Sequence, residues 1–280
     1  MIKRLSLSAA ALALILPATL PAQSPDRPAT TDPVFTPAAM RAHVEFLADD
    51  LLKGRDTGSE GHEIAARYVA SQFDGLGLKP AGDADGQGRS WLQRITFQKT
   101  ERTQTPATLT VSGPAGDQRF THAGDVLIGM NAAEPRLDVR APLVFVGYGL
   151  ENQRLGLNDY AGLDVEGKIV VTLRGYPKGL PSEEGAHLSA TKAMVAEKHG
   201  AIGMLSLGTL QSIKARPWAR MVQFADEPDF TWVSPEGKPF DQAPGIRAGA
   251  ALNDPAAEAV FADAPQSIAA IRKLADRKGG

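Results

Sequence analysis

Cysteine is absent from the chain. That excludes disulfides, thiolate metal sites and cysteine nucleophiles, so a metal would have to be held by His, Asp or Glu. Histidine is scarce as well, with five residues: His43, His62, His122, His187 and His199. No long run of Lys or Arg occurs, and the formal net charge is -2. The chain therefore lacks the electrostatic footprint of a nucleic-acid binder. Hydrophobic residues make up 43% and charged residues 22%, the balance of a globular protein rather than a disordered one. At 280 residues there is room for one large domain or two ordinary ones.

The first residues have the pattern of an export signal. Lys3 and Arg4 precede a small, apolar run from Leu5 to Leu16, and Pro17 to Ala22 form a breaker and cleavage zone. The run is too short to cross roughly 30 Å of hydrocarbon, and Pro17 interrupts it. The expectation is a signal peptide over 1–22, then a mobile polar leader over 23–35, placing the protein in the periplasm or outside the cell. No membrane contact is expected after cleavage.

Thr36-Pro37 suits a helix start, because Thr caps free N–H groups and Pro fits the first helical position. Met40, Val44, Leu47 and Leu51 then share one face, and Gly54 is a stop. Thr57 and Glu60 have capping-box spacing ahead of a second helix, whose apolar side is Ile64, Ala65, Tyr68, Val69, Phe73 and Leu76. Strands are expected over 91–97 and 107–111, with a Gly-Pro turn at 112–116. Short apolar runs at 142–146, 168–173 and 201–207 read as buried strands. A helix over 190–199 separates the last two. That strand–helix–strand unit calls for parallel strands. Further helices are expected over 256–261 and 267–275. The fold class is mixed α/β.

Two stretches resemble a known family. The first runs from Ala42-His43-Val44-Glu45-Phe46-Leu47 through Lys53-Gly54-Arg55 and Thr57-Gly58-Ser59-Glu60-Gly61 to Leu76-Gly77-Leu78-Lys79-Pro80. It resembles the opening of the di-zinc aminopeptidases, which include bacterial leucyl aminopeptidases and glutamate carboxypeptidase-like enzymes. Arg55, Gly58, Ser59 and Gly61 fit the turn between the family's first two helices. The second stretch is Leu143 to Gly149, then Asn158-Asp159-Tyr160-Ala161-Gly162-Leu163-Asp164-Val165-Glu166-Gly167-Lys168-Ile169-Val170-Val171. With Gly200-Ala201-Ile202-Gly203 it is similar to a protease-associated domain, commonly inserted in that family. The implied layout is the N-terminal part of a peptidase domain over 36–119, a protease-associated domain over 120–262, and a C-terminal helix with a truncated connection over 263–280.

What the resemblance implies for chemistry is peptide hydrolysis by a longer protein using two zinc ions. The family's ligands are a His-x-Asp, a bridging Asp, a Glu-Glu pair, and a later Asp and His, all following the inserted domain. No histidine here is followed by x-Asp. The expectation is no catalytic, cofactor-binding or metal-binding residue in this chain, with the rest of the peptidase domain missing. The alternative is a self-sufficient non-catalytic module that binds peptides or a partner protein. A third reading, an enzyme with an unfamiliar site, rests on His187 and Glu184.

Several motifs imitate sites. His62-Glu63 begins a zinc-helix motif, but Ala66 stands where the second ligand belongs. Glu183-Glu184-Gly185 has the family's Glu-Glu-x-Gly texture yet lies in a loop ahead of a helix. Gly203 to Gly208 is one residue too long for a nucleophile elbow, and Gly147-Tyr148-Gly149 lacks a third glycine, since Asn152 stands there. Asp49 and Asp50 read as solvent-facing helix acids, and Trp91, Trp218 and Trp232 as core or rim residues.

Overall fold

The structure, a computed structural model, describes residues 35–277. The signal segment 1–22, nearly all of the leader and the last three residues lie outside them. The chain divides into two compact units between Gln93 and Arg94.

The first unit holds α1 (Pro37–Leu47) and α2 (Glu60–Gly75), joined by a short 3-10 segment from Asp50 to Arg55. Thr36 caps α1, its hydroxyl accepting from the Ala39 N–H at 3.1 Å, with Pro37 behind it. The helix ends earlier than its apolar spacing predicts. Asp49 is extended, and its carboxylate caps the Leu51 N–H at 2.8 Å, which restarts the winding in a new phase. As a result Leu51 is 84% exposed, while Leu52, 5% exposed, turns inward. Lys53, Gly54 and Arg55 all take positive φ at the exit. The cap of α2 is Ser59, accepting from the His62 N–H at 3.2 Å, in place of the expected Thr57. Phe46 of α1 stacks on Tyr68 of α2 with centroids 4.2 Å apart, and His43 Nδ1 lies 2.9 Å from the Tyr68 hydroxyl.

The expected strand at 91–97 starts only at its last residue. Gly82, Asp83, Ser90 and Leu92 exchange backbone hydrogen bonds of 2.7–2.9 Å, so that stretch folds back on itself as a loop.

The second unit carries the main sheet. Its strands are β4 (Val126–Ile128), β5 (Leu143–Phe145), β8 (Ile169–Leu173), β9 (Gly203–Leu207) and β11 (Ala248–Leu252), in the order β4-β11-β9-β8-β5. All pairings are parallel except β4 with β11. The expected crossover is present: α4 (Lys192–Lys198) links β8 to β9, and these pair in parallel. Every residue of β8 is buried, as a strand covered on both faces requires. Ile169, Val171 and Leu173 pack into one core with Leu205, Leu207, Leu252 and the helices α7 (Asp254–Val260) and α8 (Ile268–Ala275). Val170 points the other way, into a core with Val146, Tyr160, Val165, Ala196 and Ala201.

Smaller elements complete this unit. They are a ribbon of β1 (Phe97–Thr100) with β10 (Asp229–Trp232), a hairpin of β2 (Thr108–Gly113) with β3 (Gly116–Thr121), and the short pair β6 (Glu151–Asn152) and β7 (Leu157–Asn158). Helices α3 (Ser182–Ala190), α5 (Leu210–Ala215) and α6 (Trp218–Val222) flank the sheet strands in sequence. The observed class is mixed α/β, as the sequence predicts. Among the elements that escape the sequence pattern are α3, read as loop, and β11, a central strand with no β-branched residue.

Candidate functional site

The motif Asn158-Asp159-Tyr160-Ala161-Gly162 is a structural knot. The Asp159 carboxylate accepts from the Leu150 N–H at 2.9 Å, pinning the Gly147-Tyr148-Gly149 turn that leaves β5. Burial raises its pKa, and the backbone donors and Lys192 only partly offset that. Gly147 and Gly149 have φ of 59° and 71°, and a Cβ on Gly149 would stand 2.9 Å from Thr172 Cγ2. These glycines serve a tight turn against the sheet, which accounts for them without a dinucleotide. Lys168 donates to the Asp164 carboxylate at 2.8 Å and fixes the entrance to β8.

Lys192 is the most buried cation described, at 6% exposure. Its ammonium donates to the Leu173 carbonyl at 2.7 Å and to that of Gly175, and sits 5.5 Å from the Tyr148 ring centroid. Burial is the main cause that drops its pKa to about 8; Asp159 opposes the drop and Arg174 adds to it.

The histidines stay apart. His43 meets Tyr68, while His62 and His187 are exposed. His199 stacks on Tyr160, centroids 4.4 Å apart, with Nε2 2.6 Å from Glu151. His122 is buried between the β3–β4 connection and residue 225. Its Nδ1 accepts from the Ile128 N–H at 3.0 Å, so Nε2 carries the proton and faces the Ala225 carbonyl at 3.2 Å. Desolvation, then the Arg102 charge, lower its pKa and keep the ring neutral. Among the described residues no three His, Asp or Glu side chains converge in a way that could hold a metal ion. The described residues therefore do not fit a pair of zinc ions.

Other sequence candidates resolve individually. Glu183 and Glu184 occupy the first turn of α3, a correction to the loop reading. Glu184 pairs with Arg154, and Gly185 lies where a Cβ would strike the Tyr176 ring at 2.4 Å. Ser206 is mid-strand in β9, paired with Thr172 and Ala251, so Gly203 to Gly208 makes no elbow. Asp49 is an N-cap outside any α-helix, which corrects its reading as a helix-face acid. Trp218 Nε1 donates to the Gly124 carbonyl at 2.8 Å, while Trp91 faces Phe73 and Trp232 stacks on Phe240.

The sequence reading missed an open cleft of about 690 Å³ in the second unit. It lies between β4 and the segment 215–229, with Leu127, Met130, Met221 and Phe224 among its apolar lining. Arg102, Arg216 and Arg220 line it too, as do Glu227 and Asp229. Arg102 is committed to structure, donating to the carbonyls of Ala225 and Ile128, with Asp226 at 3.7 Å. The one sequence signal was Arg216-Pro217-Trp218-Ala219-Arg220, two arginines about one turn apart beside an aromatic. A second open cleft of about 590 Å³ adjoins it, sharing Leu127, Gly129, Met130 and Asp229.

Comparison with protein-family models and with curated proteins finds no match. Among solved structures, the chain is similar to BSAP, a zinc aminopeptidase from Bacillus subtilis, at 16% identity and a TM-score of 0.26. The match covers 81% of this chain and 40% of that one, so the present chain spans less than half the length of that structural neighbour.

Proposed function

We propose that this chain is the front, non-catalytic portion of an exported di-zinc aminopeptidase, carrying the first helices of the peptidase domain and an inserted protease-associated domain. On this reading the two zinc ions and the peptide hydrolysis belong to the longer protein, and residues 1–22 direct export.

The observation that carries the reading is the open face of the first unit. No residue of α1 is buried, and in α2 only Gly61 is. Met40, Val44, Ile64, Val69, Phe73 and Leu76 are all exposed, although their helical spacing marks them for a core. A surface of that kind on a soluble protein calls for a cover. The motif order around it supports the missing peptidase sheet as that cover.

The test is the reading frame past codon 280, together with the purified chain. An encoded His-x-Asp and Glu-Glu pair downstream, with no zinc and no aminoacyl-anilide hydrolysis by the 280-residue chain, is the expected result. Stoichiometric zinc with hydrolysis by this chain alone would sink the proposal.

A second reading is a non-catalytic module for peptides or a partner protein. The self-contained second unit favours it, since its sheet is packed on both faces. Unrelated sequence past codon 280 with a soluble, folded monomer would select it.

A further inference from the structure

Three arginines at or beside the 690 Å³ cleft stand without an ion pair among the described residues. Arg216 and Arg220 line it, and Arg174 lies behind its Met221 wall, with Nη1 2.9 Å from the Met221 sulfur. None of the three is ion-paired among the described residues. A thioether is a weak acceptor, so the partly buried Arg174 guanidinium remains poorly satisfied. Its pKa is lowered first by desolvation and then by the neighbouring Arg216 charge. An anion beside Arg174 and Arg216 would offset that repulsion. Guanidinium also has the planar fork that matches an oxyanion.

The cleft opens at the sheet edge. Arg174 directly follows β8, while Arg216 and Arg220 lie beyond α5. The lining also takes in the edge strand β4, whose Ile128 pairs with Ala250 of β11.

The rest of the cleft narrows the ligand class. Glu227 and Asp229 stand among the lining, and Asp226 lies beside Arg102, so a polyanion would meet repulsion as well as attraction. Leu127, Met130, Met221 and Phe224 offer apolar surface next to the arginines. One carboxylate with an apolar neighbour satisfies both parts. A nucleic acid or polyphosphate would bring further negative charge against Glu227 and Asp229.

We propose that this cleft is a carboxylate-binding site for peptides, with Arg216 and Arg220 engaging the carboxylate, Arg174 supporting them, and the apolar lining taking an adjacent side chain. The inference stands apart from the peptidase reading, because it uses only the second unit and concerns binding without chemistry.

The experiment is fluorescence anisotropy on the full 280-residue chain with three labelled hexapeptides. One is Ala-Leu-Asp-Leu-Ala-Ala with an amidated end. The second has Asn for Asp and a free end, and the third has Asn and an amidated end. The expected result is saturable binding of one or both carboxylate-bearing peptides, at least about tenfold tighter than the third, a gap of about 1.4 kcal/mol. The first two peptides distinguish a side-chain carboxylate from a chain end. The R216Q/R220Q double variant should lose about that factor while its circular dichroism and melting stay unchanged, and raised salt should weaken binding. Equal binding of all three peptides, no binding of any, or an unaffected double variant would overturn the proposal. So would inorganic phosphate that binds more tightly than either carboxylate peptide.

Discussion

The backbone carbonyl of Leu52 occupies the place a side chain on Gly61 would need: a Cβ there would lie 1.9 Å from its oxygen. This contact seats the first turn of α2 on the 3-10 segment and explains why Leu52, rather than Leu51, is covered. Because the obstacle is backbone rather than a flexible side chain, the cost of adding a methyl cannot be relieved by a rotamer change.

Gly61→Ala should therefore destabilise the first unit by about 1–3 kcal/mol, the range of overpacked sites. Urea unfolding followed at Trp91 emission, with the other tryptophans replaced, reads this unit selectively. An unchanged midpoint would mean that α2 does not rest on Leu52 as described.

Lys192 gives a pH signature of unusual sign. Its folded pKa of about 8 lies below the ordinary 10.5, so the unfolded chain binds the extra proton between those values. Stability then rises with pH across that window, and the penalty is present in full below pH 8. The shift corresponds to about 3 kcal/mol as an order of magnitude. Tyr148 and Tyr160, whose raised pKa values act in the opposite sense, enter only above their ordinary value of 10. Unfolding midpoints from pH 7 to 10 should rise in the parent and stay flatter in Lys192→Met. Identical slopes in the two proteins would refute the assignment.

Arg272 ties three elements together. Its Nε donates to the Gly208 carbonyl at 2.8 Å and its Nη2 to Asp254 at 2.7 Å, which holds α8 against the exit of β9 and the start of α7. At 8% exposure, Arg272→Met leaves a carbonyl and a carboxylate without their donor. The expected loss is about 1.5–3 kcal/mol, the range for charge-assisted hydrogen bonds. Arg272→Lys should recover part of it. A denaturation midpoint for Arg272→Met equal to that of the parent would show the contacts to be incidental.

His122 should be a neutral Nε2–H tautomer. Its lowered pKa means that the unfolded chain takes up the proton first as pH falls below the ordinary 6.5. The native state therefore loses stability on acidification through that value. Long-range 15N–1H correlation spectra at pH 7 should show a protonated Nε2 and a bare Nδ1, with a titration midpoint below 6.5. The opposite tautomer, or a midpoint above 6.5, contradicts the hydrogen bonds at Ile128 and Ala225.

Much of the second unit was legible because its cues are local. The apolar run Ile169-Val170-Val171-Thr172-Leu173 suits only a strand buried on both faces, and the spacing to Gly203–Leu207 requires a helix between parallel strands. Thr36-Pro37 starts a helix wherever it is placed, and α1 starts there. Ala248-Gly249-Ala250-Ala251-Leu252 carries no such cue. It is a strand because β9 offers one edge and β4 closes the other. That is tertiary context overriding weak intrinsic preference.

The cleft follows the same division. Composition alone showed that no cysteine chemistry is possible and that histidine is scarce, and these facts do not depend on folding. Which arginines lack a counterion was decided only by the tertiary structure. Arg102, Arg154, Arg247 and Arg272 find carboxylates far away in sequence, whereas Arg174, Arg216 and Arg220 do not. The physical reason is range. Caps, breakers and periodicity act over a few residues of chain. Charge pairing depends on which distant groups packing brings within a few ångströms.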